Sequence, residues 1–340
     1  MNYFILFFSI VLGSVQLYAQ EDFNFYADSI QLYAIGENHT KENAEIQIAA
    51  IDYVNAKKEV DFVFFELPRN HSNAFNQYVL NGTNEALVDG LLSVISNQPT
   101  TNIKTILNHL KAHNSDSLNN KIEVRTVDQF GYGVRKVNAK ILALLYPELR
   151  ESSAQRTVEY IFERKTYTLI SEHEFFYRLL ADLNRHETEM QELLGNKFAS
   201  YKMDLKEGIK DAAIEYREAN EIRENHITEQ MLQYMNDSVC AITINGAAHV
   251  LKKTQDHWFE DYDFSSALSR LRYYFRINTC SIILQYPELI ERTAFNLLTL
   301  QLKKFFKQTD ARYTTLHRDE LISKYPFAAN RCDAIILCDL

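Results

Sequence analysis

Short apolar runs, each ending on a chemically active side chain, alternate with amphipathic helical stretches, and this alternation restricts the chain to an α/β architecture. Leu32-Tyr33-Ala34-Ile35 runs into Gly36-Glu37-Asn38-His39, and Phe62-Val63-Phe64-Phe65 runs into Glu66-Leu67-Pro68. Ala241-Ile242-Thr243-Ile244 runs into Asn245-Gly246-Ala247-Ala248-His249. Ile122 to Val127 forms a further strand ending at Asp128, and Ser281–Leu284 and Asp333–Leu337 add two more. After the first strand, Ile46, Ala49, Ala50, Tyr53 and Val54 recur at helical spacing. Alternating β and α units imply a mainly parallel central sheet flanked by helices. In open sheets of this kind the ligand crevice lies outside the carboxyl ends of the strands, so Glu37, His39, Glu66 and His249 are expected to meet in one cleft. Gly36 and Gly246 read as turns that deliver His39 and His249 just past their strands.

From about 134 to 237 the sequence becomes long, charged and helix-periodic. That stretch reads as a helical insertion or cap within a single domain spanning 20–340. Ile209, Ala213, Tyr216, Asn220, Arg223, Ile227, Met231 and Tyr234 follow at intervals of three or four and form one stripe on a helix returning to the sheet. A guanidinium on such a stripe needs a carboxylate, and Glu37, Glu66 and Asp128 are the acids within reach. Arg223 therefore either pins the helix to the sheet or serves the site.

Nine glycines and five prolines in 340 residues suit long helices. A formal charge of -9 and a pI near 5.6, with no concentrated lysine and arginine face, exclude a general nucleic-acid binder. Tyr3 to Leu12 is almost wholly apolar, and Leu17-Tyr18-Ala19 before Gln20 marks a cleavage site. Residues 1–19 are thus expected to be a signal peptide, and the chain to be exported to a periplasmic or extracellular location. No later run approaches the ~20 apolar residues of a membrane span. Cys240, Cys280, Cys332 and Cys338 match no zinc spacing and read as small buried hydrophobes. His71, His109, His113, His173, His186, His226, His257 and His317 fall in polar sequence and read as solvated surface.

Taken in order, Gly36-Glu37-Asn38-His39, Glu66, Arg223-Glu224 and His249 resemble the erythromycin esterase-like superfamily, which also takes in the ChaN-type haem-binding lipoproteins and, more distantly, the Tiki/TraB group. The strand ending at Asp128 and the closing Cys332-Asp333-Ala334-Ile335-Ile336 are similar as well. The spacing of His39, two residues after Glu37, is closer to the ChaN branch, and Gln230 stands where the family helix carries asparagine. The resemblance implies an exported hydrolase acting on a small-molecule ester or lactone. Its alternative is a ChaN-like protein that binds haem or iron without turnover.

The residues support the same chemistry. A carboxylate beside an imidazole fixes its tautomer and raises its basicity, which makes His39 the expected general base, with Glu37 or Glu66 as its orienting partner. His249 and Arg223 are then expected to stabilise the oxyanion. Glu37, His39, Glu66 and His249 also form a plausible ligand set for a divalent metal with an open water position. Turn and capping chemistry is the competing reading of Glu37 and His39, and of Asp128. No G-x-S-x-G elbow, His-Glu-x-x-His helix, dinucleotide fingerprint or Walker sequence occurs.

Overall fold

A computed structural model describes residues 23–39, 41–94, 100–129, 135–163, 171–212, 216–252, 265–286, 313–324, 329 and 332–338. The sheet contains β1 (Leu32–Glu37), β2 (Phe62–Pro68), β3 (Glu123–Asp128), β4 (Ala241–Gly246), β5 (Thr279–Gln285), β6 (Tyr313–His317) and β7 (Ala334–Cys338). These seven strands lie in the order β3-β2-β4-β1-β5-β7-β6. All neighbouring pairs are parallel except β6 with β7. Among the described residues, α1 (Ala44–Asn55) follows β1, while α2 (Ser72–Asn81), α3 (Glu85–Val94) and α4 (Thr100–Ser115) connect β2 to β3. Between β3 and β4 lie α5 (Arg135–Leu145), α6 (Ser153–Glu163), α7 (Glu172–Arg185), α8 (Glu187–Leu194), α9 (Phe198–Ala212) and α10 (Tyr216–Leu232). Helix α11 (Ala267–Tyr273) precedes β5, and α12 (Arg318–Lys324) follows β6.

Both faces of the sheet are covered, which is why its strands read as continuous apolar runs instead of alternating ones. Tyr33, Ile35, Val63, Phe65, Ile242 and Ile244 face a core shared with α1 to α9. Their neighbours Leu32, Ala34, Phe64 and Ala241 face a second core built with Ile227 and Met231 of α10, Leu268 and Leu271 of α11, and Leu321 of α12. Strand β6 has no counterpart in the sequence reading. Tyr313-Thr314-Thr315-Leu316-His317 is a short edge strand with one aliphatic residue, Leu316, and it pairs on one side only. All four cysteines are free and buried. Among the described residues no helix is long and apolar enough to cross a membrane, and residues 1–19, read as a signal peptide, lie outside them.

Two sequence expectations are corrected. Gly36 and Gly246 are not turns: both belong to their strands, Gly36 next to the end of β1 and Gly246 as the last residue of β4, and positive φ among the described glycines occurs at Gly82 and Gly195. They are needed for close approach, because a Cβ on Gly36 would overlap Val250 and come within 2.8 Å of Ile283 Cδ1. His71 and His226 are buried, not solvated: the helical turn Arg69–His71 packs against β3 and α2, and His226 faces the side of α10 on which Arg69, Asp128 and Glu207 lie. His257 lies outside the described residues, as does the side chain of His317.

The crowding at Gly36 gives a direct expectation. Gly36→Ala should destabilise the fold by roughly 1–3 kcal/mol, the usual range for overpacking a filled core. Urea unfolding checks this, and a loss below about 0.5 kcal/mol would place the residue at an unconstrained site.

Candidate active site

Four neighbouring parallel strands deliver side chains to the same edge. Glu37 ends β1, Glu66 lies near the end of β2, Asp128 ends β3 and Gly246 ends β4. Glu37 is paired in register with Gly246. The β2–β3 register shifts between Phe65 and Pro68, around Glu66. Such irregularities re-aim a side chain, and here the re-aimed residue is a carboxylate. His39 follows β1, His249 sits in the helical turn Ala247–Val250 after β4, and α10 brings Arg223 and Glu224.

Arg223 is the hub. Its Nε donates to Asp128 Oδ1 at 2.8 Å and its Nη2 donates to Asp128 Oδ2 at 2.5 Å, a two-pronged grip on one carboxylate. The same Nη2 donates to Glu66 Oε1 at 2.5 Å. Glu66 Oε1 also faces His249 Nε2 at 3.2 Å, while its Oε2 accepts from the backbone N–H of Gly246 at 2.5 Å and faces His39 Nε2 at 3.5 Å. His249 Nδ1 pairs with Glu224 Oε1, and Glu224 Oε2 accepts from the Ala267 N–H at 2.5 Å, capping α11. On the other side His39 Nδ1 lies 3.0 Å from Glu37 Oε1, and Gln47 Nε2 of α1 donates to Glu37 Oε2. Gly246 permits this arrangement: a Cβ there would come within 2.8 Å of His39 Nε2 and 3.3 Å of Glu66 Oε2.

The network fixes protonation. Burial pushes the His39 imidazole down, but hydrogen bonds to Glu37 and Glu66 outweigh it and raise the pKa to about 9. His249 is fully enclosed. Burial again lowers its pKa, and the charges of Glu224 and Glu66 overcome both burial and the repulsion of Arg223, raising it to about 10. Glu66 is pushed up by burial, yet the charges of His249 and Arg223 hold it well below the ordinary carboxylate range. Both imidazoles are thus cationic at neutral pH, between carboxylates. The His249 side chain is 7% exposed and His39 is 29% exposed, so His39 is the histidine that solvent or a ligand can reach.

The five residues read from the sequence, Glu37, His39, Glu66, Arg223 and His249, therefore come together, and of the acids considered for Arg223 its hydrogen bonds reach Asp128 and Glu66. Ala213 and the side chains of Tyr216 and Asn220 lie outside the described residues. Asp128, one of the acids offered to Arg223 and also read as a cap, is the guanidinium's main anchor; two residues went unassigned, Glu224, which orients His249, and Gln47, which steadies Glu37. Glu224 had a signal, the acid adjacent to Arg223, and adjacent helical residues point about 100° apart and so serve different partners. For a metal, the carboxylates and imidazoles are turned toward each other and toward Arg223. Among the described residues, no group of three or more His, Cys, Asp or Glu is arranged to hold an ion. A void of about 10 Å³ beside Glu37, Gln47 and Glu66 admits at most a water.

No protein-family model and no curated protein matches the chain. Among solved structures, a succinoglycan biosynthesis protein is similar over 92% of this chain and 88% of its own, at 13% identity and a TM-score of 0.58. The erythromycin esterase EreC, in its open conformation, is similar over 91% and 90%, at 11% identity and a TM-score of 0.56. ChaN of Campylobacter jejuni, solved with cofacially bound haem, covers 92% and 89% at 10% identity, with a TM-score of 0.38. The chain has the erythromycin esterase-like fold that its strand-end motifs resemble.

Two outcomes follow from the network. Arg223→Met leaves Asp128 without its cation and takes from Glu66 one of three, and should cost roughly 3–5 kcal/mol, as breaking a buried pair does. Adding Asp128→Asn should recover part of that loss, and full additivity in chemical denaturation would show the two residues uncoupled. The pH dependence has a definite sign. His39 and His249 bind protons more tightly folded than unfolded, so their contribution is complete below about pH 6.5, the unfolded value, and is lost as pH rises through about 9 and about 10. Glu66, shifted down, contributes above the ordinary carboxylate range and loses its effect in acid. Denaturant titrations at pH 6, 8 and 10 should show a falling unfolding free energy, and a flat profile would contradict the charged imidazoles.

Proposed function

We infer that the chain hydrolyses an ester or lactone of a small molecule with water activated at His39. The observation that carries this reading is the placement of His39: open on one edge, with Nδ1 3.0 Å from Glu37 and Nε2 facing Glu66 at 3.5 Å. Glu37 holds the proton on Nδ1, which leaves Nε2 as the basic nitrogen. Nε2 takes a proton from water as the oxygen attacks the carbonyl carbon. The imidazolium that forms lies between Glu37 and Glu66, which is the reason its pKa is high. Arg223 supplies positive potential for the oxyanion, and His249 holds Glu66 in place. When the tetrahedral centre collapses, the carbon–oxygen bond to the leaving alcohol breaks and His39 returns its proton to that oxygen. The signal segment, removed near Gln20, would put this activity outside the cytoplasm.

A panel of p-nitrophenyl acyl esters and lactones tests the reading. His39→Ala should lower turnover about a hundredfold to ten-thousandfold, the usual worth of a general base, and Glu66→Gln should do likewise. Because His39 is protonated up to about 9 in the free protein, kcat/KM should climb about tenfold per pH unit before levelling near that value. Glu37→Gln removes one carboxylate and should move the inflection to lower pH. A profile already flat from pH 7, or near-normal activity in His39→Ala, would remove His39 from the mechanism. A Soret band on adding haem, with no ester turned over, would favour the ChaN-like binding role instead.

A further inference from the structure

Beside the ionic network lies a second group of buried polar side chains that the hydrolytic mechanism does not use. Arg69 follows β2, Gln129 follows β3, Asp204 and Asp211 lie two turns apart on α9, and His226 lies one turn beyond Arg223 on α10. Gln129, Asp204, Asp211 and His226 are each more than nine-tenths buried. Yet among the described residues both carboxylate oxygens of Asp211, the Nε2 of Gln129, the Nε2 of His226, and the Nε and Nη2 of Arg69 have no hydrogen-bond partner. Asp204 is held on one side by the Tyr146 hydroxyl, which donates at 2.6 Å, and its other oxygen is 3.8 Å from Arg69 Nη2, beyond hydrogen-bond reach. The group is contiguous with the network: Gln129 donates its backbone N–H to Asp128 Oδ1 at 2.8 Å, and the charges of Arg69 and Asp128 both act on Asp211 and His226.

Buried polar atoms are almost always paired, so this concentration of idle donors and acceptors marks a place where a partner belongs. Its chemistry narrows what that partner is. An ammonium would suit Asp211 but would meet Arg69 and leave its N–H groups idle. A carboxylate or phosphate would suit Arg69 but would be pressed against Asp204, Asp211 and Asp128. A hydroxyl donates one hydrogen bond and accepts two, so neighbouring hydroxyls satisfy Asp211 and Arg69 or Gln129 at the same time without adding charge. We propose that Arg69, Gln129, Asp204, Asp211 and His226 form the recognition pocket for an uncharged, polyhydroxylated, sugar-like part of the substrate. This rests on the hydrolytic reading above, and it makes the substrate an ester of a polyol or carbohydrate. Burial, with Glu207 adding to it, also pushes the Asp211 carboxyl up to about 7 against the opposing charges of Arg69 and Lys210, so it can donate as well as accept near neutral pH.

Calorimetric titration of the full chain with three methyl glycosides tests the pocket: neutral glucoside, cationic glucosaminide and anionic glucuronide. The glucoside should bind, and the two charged sugars should bind at least about tenfold more weakly, as when a buried polar site is offered the wrong charge. Asp211→Leu and Gln129→Leu should each abolish binding. Neither should lower Tm, and Asp211→Leu should raise it, because an unpartnered buried carboxyl is removed. The proposal is overturned if no sugar binds, if a charged sugar binds more tightly, or if both variants bind as wild type does. It is also overturned if Asp211→Leu lowers Tm, the mark of a structural role. The two readings fail separately. Glucoside binding in a chain that turns over no ester supports the pocket and ends the hydrolase. Ester turnover in a chain that binds no sugar ends the pocket and leaves the hydrolase standing.

Discussion

The architecture at the strand ends depends on one guanidinium. Arg223 reaches Asp128, 95 residues earlier in the chain, and Glu66, 157 residues earlier, and so fastens α10 across β3 and β2. The attraction is mutual. A buried guanidinium is costly without carboxylates, and two carboxylates close together are costly without a cation. Once Glu66 Oε1 is committed to Arg223, its Oε2 faces the opposite way, toward Gly246 N–H and His39. The carboxylates of Glu37, Glu66, Asp128 and Glu224 are interleaved with Arg223, His39 and His249. This excess of acids over cations is what keeps both imidazoles charged.

Backbone geometry has to make room for that interleaving. Adjacent parallel strands lie about 4.8 Å apart, so side chains at four consecutive strand ends are near one another before any helix is placed. Glu37 and Gly246 are direct register partners, and a residue without Cβ at 246 lets the His39 ring sit above β4 without shifting. The register shift around Glu66 then supplies the remaining adjustment. Glu224 extends the network into α11 by accepting the Ala267 N–H, which ties the position of His249 to a helix start.

Much of this was legible in the sequence because both faces of the sheet are buried. Continuous apolar runs marked β1, β2, β3, β4, β5 and β7, and the strand-end rule then placed Glu37, His39, Glu66 and His249 on one side. Arg223 was legible for a different reason: a charged residue on an apolar helical stripe demands a partner. What was not legible depends on tertiary contact. The glycines at 36 and 246 read as turns because glycine permits turns, whereas their actual constraint is crowding from Val250, Ile283 and His39. Asp128 stood between two readings, a cap and a partner of Arg223, because the helix that decides between them lies far along the chain. His71 and His226 looked solvated because their local sequence is polar, and only tertiary packing buries them. Strand β6 escaped because an edge strand needs few apolar residues.

The contrast between the two polar groups bears on function more directly than either does separately. Both oxygens of Glu66 are surrounded by donors: Arg223 and His249 on one, the Gly246 N–H and His39 on the other. Asp211, buried to a similar degree, has none on either oxygen among the described residues. A fold able to saturate one carboxylate so thoroughly, and to cap α11 with another, had the means to pair or replace the second. Replacing it with an apolar residue of similar size would have cost no hydrogen bond and would have filled the same space. Stability was therefore conceded at Asp211, Gln129 and His226 but not at Glu66, and such concessions concentrate where a ligand completes the site. The saturated group holds charge in fixed positions for proton transfer at His39. The unsaturated group, one helical turn from Arg223, is left incomplete for what His39 would act upon.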